Sequence, residues 1–329
     1  MTDLKPLGSA LASVVRRLGK LVRPRTVLVG YMGETLATTV GFISEKGGVG
    51  KTTACYHIAV ALMRFHKKRV LVIDTDYQRG GITGRFFPKL IESFGKGEVP
   101  GTTLFHKFQQ LYSAAPQTQD IDIQNWQPGL DVIIADPRLA TVSSNKVPST
   151  NNIKSNSMAM LNHMRTIANV LRPLQEHYDY ILIDSHPEVS DIMRSIIYSS
   201  DYCVSPVKLD RQSSIGVATV IGEIANVNSD IQMLRASLGV EDSYQNTKFA
   251  GAMGMMAREW GGSPKETERL EYNRLKNAGK IFTEYVTQGD GINKAAADRV
   301  PVYDVAGANA AKQAAQFQQL TIEFMKECP

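Results

Sequence analysis

Residues 38–69 read TTVGFISEKGGVGKTTACYHIAVALMRFHKKR. Thr39 to Ser44 is short, β-prone and largely apolar, the pattern of a buried strand. Gly47, Gly48 and Gly50 permit a tight turn with backbone angles closed to other residues. From Lys51 onward, Ala54, Ile58, Ala61, Leu62 and Phe65 recur at helical spacing. A strand feeding a glycine turn and then a helix start is an anion-binding device. Free N–H groups and the positive end of the helix dipole converge there. In such a loop Lys51 reaches the β- and γ-phosphates and the Thr52 hydroxyl ligates Mg²⁺. A glycine turn with no ligand is the alternative, and the fit at every position of the motif and its flanks speaks against it.

The ordinary pattern G-x-x-x-x-G-K-[ST] requires glycine at position 45, where this chain has Glu45, and a second lysine, Lys46, precedes the paired glycines. KGGVGKTT thereby resembles the deviant Walker A motif of the ParA/MinD/Soj family of ATPases, and its ParA-type partition members in particular. The resemblance implies a doubly wound α/β P-loop fold with a mostly parallel sheet flanked by helices. It implies ATP and Mg²⁺ as cofactors, cradled by Glu45, Lys46, Gly47, Gly48, Val49, Gly50, Lys51, Thr52 and Thr53. It also implies that Lys46 reaches across a homodimer to the nucleotide of the other subunit.

Two further acidic strand ends support this reading. Val70 to Ile73 is a continuous apolar strand followed by Asp74 and Asp76, where parallel sheets bind ligands. DTDYQ resembles the D-x-D-P-Q element of the family, with Tyr77 where proline is usual. By that resemblance Asp76 positions or activates the attacking water and Asp74 supports the Mg²⁺ side; capping of the next turn is the alternative for both acids. Tyr180 to Ile183 is a second apolar strand, and Asp184 at its end completes a Walker B pattern that holds Mg²⁺. His186 is read as shaping the turn before Pro187, with a catalytic role as the alternative.

The rest of the chain fills out the domain. Residues 82–130 hold a switch region with its helix, including Gly84 to Pro88 and Thr102 to Tyr112, followed by a strand over Leu130 to Ala135. Thr141 to Ser157 is polar and reads as a loop. Met158 to His177 reads as a helix. Asp201 to Ser213 reads as a strand and a basic loop, and Phe249 to Ala257 as a strand. A helix starts at Ser263, with Pro264 in its first position, and runs to about Asn277. Ile281 to Val286 is the last strand, and Asn293 to Arg299 and Ala308 to Lys326 are helical.

Charge is unevenly distributed. Residues 1–25 hold six basic residues against Asp3, which equals the entire formal net charge of +5. Leu11, Val14, Val15, Leu18, Leu21 and Val22 lie at helical spacing, so residues 1–37 form a basic extension with an amphipathic helix preceding the ATPase domain, residues 38–329. The extension could pack on its own domain or a dimer mate, or lie on DNA or lipid. The three cysteines are far apart and the six histidines are scattered, which argues for a reducing cytoplasm and against structural zinc or an iron–sulfur cluster. No run is long and apolar enough to cross a membrane, and no secretory signal is evident.

By resemblance, the function is an ATP-dependent dimerising switch for plasmid or chromosome partition. It binds non-specific DNA, hydrolyses ATP slowly, and is stimulated by a ParB-like or cargo-adaptor protein in a bacterial or archaeal cytosol, associated with the nucleoid. Two departures matter. The run Thr287 to Gly291 after the last strand lacks the arginines with which many ParA proteins hold DNA, leaving Lys280, Lys294, Arg299 and Lys312 nearby. The C-terminal stretch reads as the domain's own helix and not as the membrane-inserting helix of MinD-like proteins, so no stable membrane insertion is expected. Positioning of a membrane-associated or protein cargo is the alternative function, and a nucleotide-holding scaffold without turnover is another.

Overall fold

The computed structural model describes residues 36–78, 81–90, 94, 99–111, 120–144, 150–240, 244–260 and 262–329. Residues 1–35 of the basic extension expected over residues 1–37 lie outside them, and with them the amphipathic helix expected there.

Seven parallel strands and one antiparallel edge strand make the sheet. In chain order they are β1 (Thr38–Phe42), β2 (Val70–Asp74), β3 (Gln124–Gln127), β4 (Leu130–Ile133), β5 (Tyr180–Asp184), β6 (Tyr202–Lys208), β7 (Lys248–Ala257) and, after the two-residue strands β8 (Glu259–Trp260) and β9 (Ser263–Pro264) of a small hairpin, β10 (Ile281–Thr287). Across the sheet the order is β10-β7-β6-β1-β5-β2-β4-β3. The doubly wound, mostly parallel α/β architecture expected from the sequence is therefore present. The central strands are buried on both faces, and every residue of β2 and β5 is inaccessible. This is why VLVID and YILID are continuous apolar runs and not alternating ones.

Two apolar layers hold the helices to the sheet. One face carries Val40, Phe42, Val72 and Leu182 beneath the helix Lys51–His66 and the closing helix Ala308–Glu327, whose Phe317, Leu320 and Phe324 are fully buried. The other face carries Ile43, Leu71, Ile73, Ile181 and Ile183 beneath the helices Ile153–Leu171, Asp191–Ser199 and Arg211–Leu238. Burying such side chains contributes on the order of 1.5–3 kcal/mol each, before conformational entropy is counted.

The structure corrects the local reading in several places. Thr141 to Ser157 is not a continuous loop. A short helix spans Leu139–Ser144, and the next begins at Ile153 because the Asn152 side chain caps it, accepting from the Ser155 N–H at 3.1 Å. Thr150 and Asn156 brace the same start, the Thr150 N–H donating to Asn156 Oδ1 at 2.7 Å. The helix expected over Met158 to His177 thus starts earlier, and it gives way to a 3₁₀ turn at Arg172–Leu174, where Pro173 cannot continue the helical ladder. Ser263 and Pro264 belong to the small hairpin, and the following helix starts at Glu266 with Lys265 as its cap. The basic loop expected after β6 is the first turn of a 28-residue helix, Arg211–Leu238, capped by the Asp210 carboxylate, which accepts from the Ser213 N–H at 2.7 Å.

Candidate functional site

The site is built where the carboxyl ends of β1, β2 and β5 meet. β5 lies between β1 and β2, and the register sets Asp184 beside Phe42 on one side and Asp74 on the other. The phosphate loop leaves β1 directly above this edge. Gly48 and Gly50 take φ values of 70° and 93°, the left-handed region that costs other residues about 1 kcal/mol. Gly50 is the N-cap of the helix Lys51–His66, and no side chain caps it, so the first-turn N–H groups face the loop. Residues 46–53 and Asp76, Gln78 and Pro187 line a pocket of about 200 Å³. The resemblance assigned Glu45 to the cradle as well; it stands exposed at the start of the loop, outside this lining.

Lys51 is only 6% exposed. Its ammonium donates to the Ser185 carbonyl and lies 3.5 Å from Asp184 Oδ1. Asp184 is fully buried, and its Oδ2 has no hydrogen-bond partner among the described residues. Burial pushes its carboxyl above the ordinary range, while the charge of Lys51 and a hydrogen bond from the Thr52 side chain oppose that shift. A buried, orphaned carboxylate oxygen and a threonine hydroxyl are suitable ligands for a phosphate-bound Mg²⁺, and the lysine beside them suits the phosphates. The residues present therefore fit Mg²⁺ with a nucleoside triphosphate. Among the described residues no group of three or more His, Cys, Asp or Glu side chains could cage a metal, and a cation held largely by phosphates and water needs none.

Asp74 is placed differently. Its Oδ2 accepts from the Thr83 N–H at 2.8 Å and the Thr83 hydroxyl at 2.6 Å, and its Oδ1 accepts from the Asp76 N–H at 3.0 Å. Burial, and then the charge of Asp184, raise its carboxyl above the usual range. Both oxygens thus hold the chain that follows β2, with Thr83 in the short helix Ile82–Phe86.

Asp76 borders the pocket, 8% exposed. Its Oδ1 accepts from the Gln78 N–H at 2.9 Å and lies 2.8 Å from His186 Nδ1. Contact between residues 110 positions apart carries no local sequence signal, so His186 was not legible as a neighbour of Asp76. Arg85 was missed for the same reason: its guanidinium donates to the Thr53 hydroxyl at 3.0 Å and lies 5.6 Å from the Tyr56 ring centroid. Lys46, at the loop's rim, donates to Gln212 Oε1 of its own chain at 3.0 Å.

The four basic residues named for DNA contact do not gather at one place. Lys280 stands at the amino end of β10, whereas Lys294 and Arg299 belong to the helix Asp290–Asp298 and its C-cap beyond the other end. Lys312 is paired with Glu259.

A glycine loop at a helix start, a buried lysine and a strand-end aspartate on neighbouring parallel strands define a P-loop nucleoside-triphosphate-binding protein. The model of the AAA domain family (AAA_31) matches residues 37–238; the chain belongs to that family, among its ParA/MinD-type members. A ParA family protein of Chlamydia pneumoniae is 26% identical over 64% of this chain and 73% of its own length. The sporulation initiation inhibitor protein Soj of Bacillus subtilis is 26% identical over 65% of this chain and 76% of its own. In fold, the chain is similar to a Cyanothece McdA–ATP complex at a TM-score of 0.66 with 15% identity, covering 88% of this chain and 97% of that one. Among the described residues no helix is long and apolar enough to cross a membrane.

Proposed function

We propose that this chain is an ATP-dependent switch that binds ATP with Mg²⁺, pairs with a second copy in the loaded state and hydrolyses the nucleotide slowly to separate again. The observation that carries this reading is the convergence of Lys51, Thr52 and the orphaned Asp184 oxygen beneath one glycine loop, with Asp76 on the rim of the same pocket. Bound Mg²⁺ would neutralise charge on the β- and γ-phosphates. Lys51 would hold those phosphates from below, Thr52 and Asp184 would hold the cation, and Asp76 would orient the attacking water. Lys46, whose ammonium among the described residues is tethered only by the neutral Gln212 at the loop's rim, could exchange that partner for the nucleotide of a facing subunit. Coupling the γ-phosphate to a subunit contact is how nucleotide switches store their state.

The role of such a switch is partition or positioning of a cargo, with a second, ParB-like or adaptor protein speeding hydrolysis. Non-specific DNA is the first candidate surface. The dispersal of Lys280, Lys294 and Arg299 and the pairing of Lys312 with Glu259 favour a protein or membrane-associated cargo as the second reading. The test is molar mass by light scattering and retention on DNA or liposomes, each with ADP, ATP and an unhydrolysable analogue. A mass that doubles only with the triphosphate forms, and reverts in Lys46→Ala while ATP affinity stays, supports the switch. A single copy in every nucleotide state overturns it. Retention on DNA, on liposomes or on neither decides the surface.

A further inference from the structure

His186 follows β5, and its imidazole is 9% exposed, between two carboxylates. Nδ1 lies 2.8 Å from Asp76 Oδ1, and Nε2 lies 3.6 Å from Glu188 Oε2. The ring of Tyr77 stacks on it, with centroids 4.0 Å apart and planes inclined by 26°. The Tyr77 hydroxyl in turn donates to Glu188 Oε2 at 2.9 Å. Tyr77 follows β2 and His186 follows β5, so the stack joins two neighbouring segments on the same side of the phosphate loop, and it does so where a proline is the usual neighbour of the acid in the family this chain resembles.

We propose that His186, braced by Tyr77 and Glu188, is a positioning residue that fixes the Asp76 carboxylate for water activation; this rests on the ATPase reading above. Both hydrogen bonds to the Asp76 side chain fall on Oδ1, from the Gln78 N–H and from His186. Among the described residues Oδ2 receives none. Two donors on one oxygen stop the carboxylate from turning, and they leave Oδ2 as the acceptor for a water in the pocket. In the reaction the water oxygen bonds to the γ-phosphorus as the bond from phosphorus to the β–γ bridging oxygen breaks. ADP leaves with the electron pair, and the water's proton passes to the phosphate product. Asp76 Oδ2 holds the water in line throughout. An acid free to rotate would spend less time in that pose, and misplacement on the scale of 1 Å costs about 10- to 100-fold in rate.

The test is steady-state ATP hydrolysis by the full chain with Mg²⁺, together with equilibrium binding of a fluorescent ATP analogue. Wild type is compared with Asp76→Ala, His186→Leu, His186→Asn and Tyr77→Ala. His186→Leu, which fills space without a donor, is expected to lower kcat about 10-fold or more while KM and analogue affinity stay within about two-fold. His186→Asn places an amide N–H near the position of Nδ1 and is expected to recover most of that loss, which a purely space-filling role would not predict. Tyr77→Ala is expected to fall between the two. Should the His186 variants fail to fold, Tyr77→Ala and Glu188→Ala loosen the imidazole from outside the pocket, and an unchanged kcat in both overturns the proposal. Turnover in wild type that survives His186→Leu overturns the positioning role and leaves the ATPase reading intact. Wild-type turnover no faster than that of Asp76→Ala overturns both.

Discussion

Asp74 and Asp184 are register partners at the ends of adjacent parallel strands, and neither carboxylate is reached by solvent. Burial raises both above the ordinary value of 3.8, and the charge of Asp184 adds to the shift at Asp74. A carboxyl whose folded pKa exceeds its unfolded one weakens the fold as pH rises from the unfolded value through the folded one, because the unfolded chain gives up the proton first. A divalent cation relieves that penalty only once the pair is ionised. The rise in melting temperature on adding Mg²⁺ and nucleotide is therefore expected to be larger on the alkaline side of neutrality than on the acid side. Thermal melts with and without the cation check this, and a pH-independent increment would contradict it.

Among the described residues, Lys51 is the single cation within ion-pair distance of Asp184. Lys51→Ala removes the proposed phosphate contact and leaves the buried Asp184 without its ion-pair partner. The expected results are loss of measurable nucleotide binding by calorimetry and a loss of about 3 kcal/mol in unfolding free energy. Lys51→Ala together with Asp184→Asn is expected to regain part of the stability and none of the binding.

His57 sits fully buried in the helix that carries the phosphate loop. Its Nδ1 is 2.8 Å from the Thr53 carbonyl and its Nε2 accepts the Val302 N–H at 3.1 Å. One nitrogen accepts, so the other carries the proton and the ring is neutral. Burial lowers its pKa to about 3. The unfolded imidazole protonates near 6.5 and the folded one does not, so its contribution is complete above about 6.5 and declines as pH falls below that, by up to about 1.4 kcal/mol per pH unit. Urea titrations in mildly alkaline and mildly acidic buffer should show this, and His57→Leu should flatten the dependence. The same variant leaves the Val302 N–H without its partner, at an expected cost of about 1–3 kcal/mol.

Gly291 opens the helix Asp290–Asp298 against the closing helix. A methyl group there would stand 2.5 Å from the Ala310 Cα and 2.8 Å from its backbone nitrogen. Backbone cannot swing aside as a flexible side chain can, so Gly291→Ala is expected to destabilise by about 1–3 kcal/mol. Gly48→Ala is the contrast: nothing lies within 4 Å of the added atom, so only its positive φ opposes the change, at about 1 kcal/mol. Chemical denaturation of the two variants distinguishes crowding from backbone preference.

Much of the fold was legible because the central strands are uninterrupted apolar runs between glycine or acidic punctuation. TTVGF, VLVID and YILID can only be strands buried on both faces, and KGGVGKTT fixes which of them carries the phosphate loop. Polar stretches misled. Asn152, Thr150 and Asn156 look like loop residues, and they spend their side chains starting a helix. The helix Arg211–Leu238 was hidden because its buried positions, Val217, Val220, Ile224, Val227 and Ile231, are diluted by Ser, Gly and Asn. In the site, the glycine motif pointed to Lys51 and Thr52, and Asp184 stood out only because its strand end follows that motif; the structure brings the three together. That both Asp74 oxygens are engaged by Thr83 and Asp76, and that His186 abuts Asp76, depends on side chains meeting across the sheet edge. No local pattern encodes such meetings.

The imidazole of His57 splices the phosphate-loop helix to the turn at Val302–Asp304, 245 positions along the chain. Phe317 stacks on the same ring at 4.4 Å, and the Tyr303 hydroxyl grips the His57 carbonyl at 2.9 Å. Anyone exchanging segments between this chain and a relative would therefore have to transplant the two regions together. A hybrid that took its nucleotide-gripping half from one parent and its last thirty residues from the other would inherit a mismatched joint directly behind the loop.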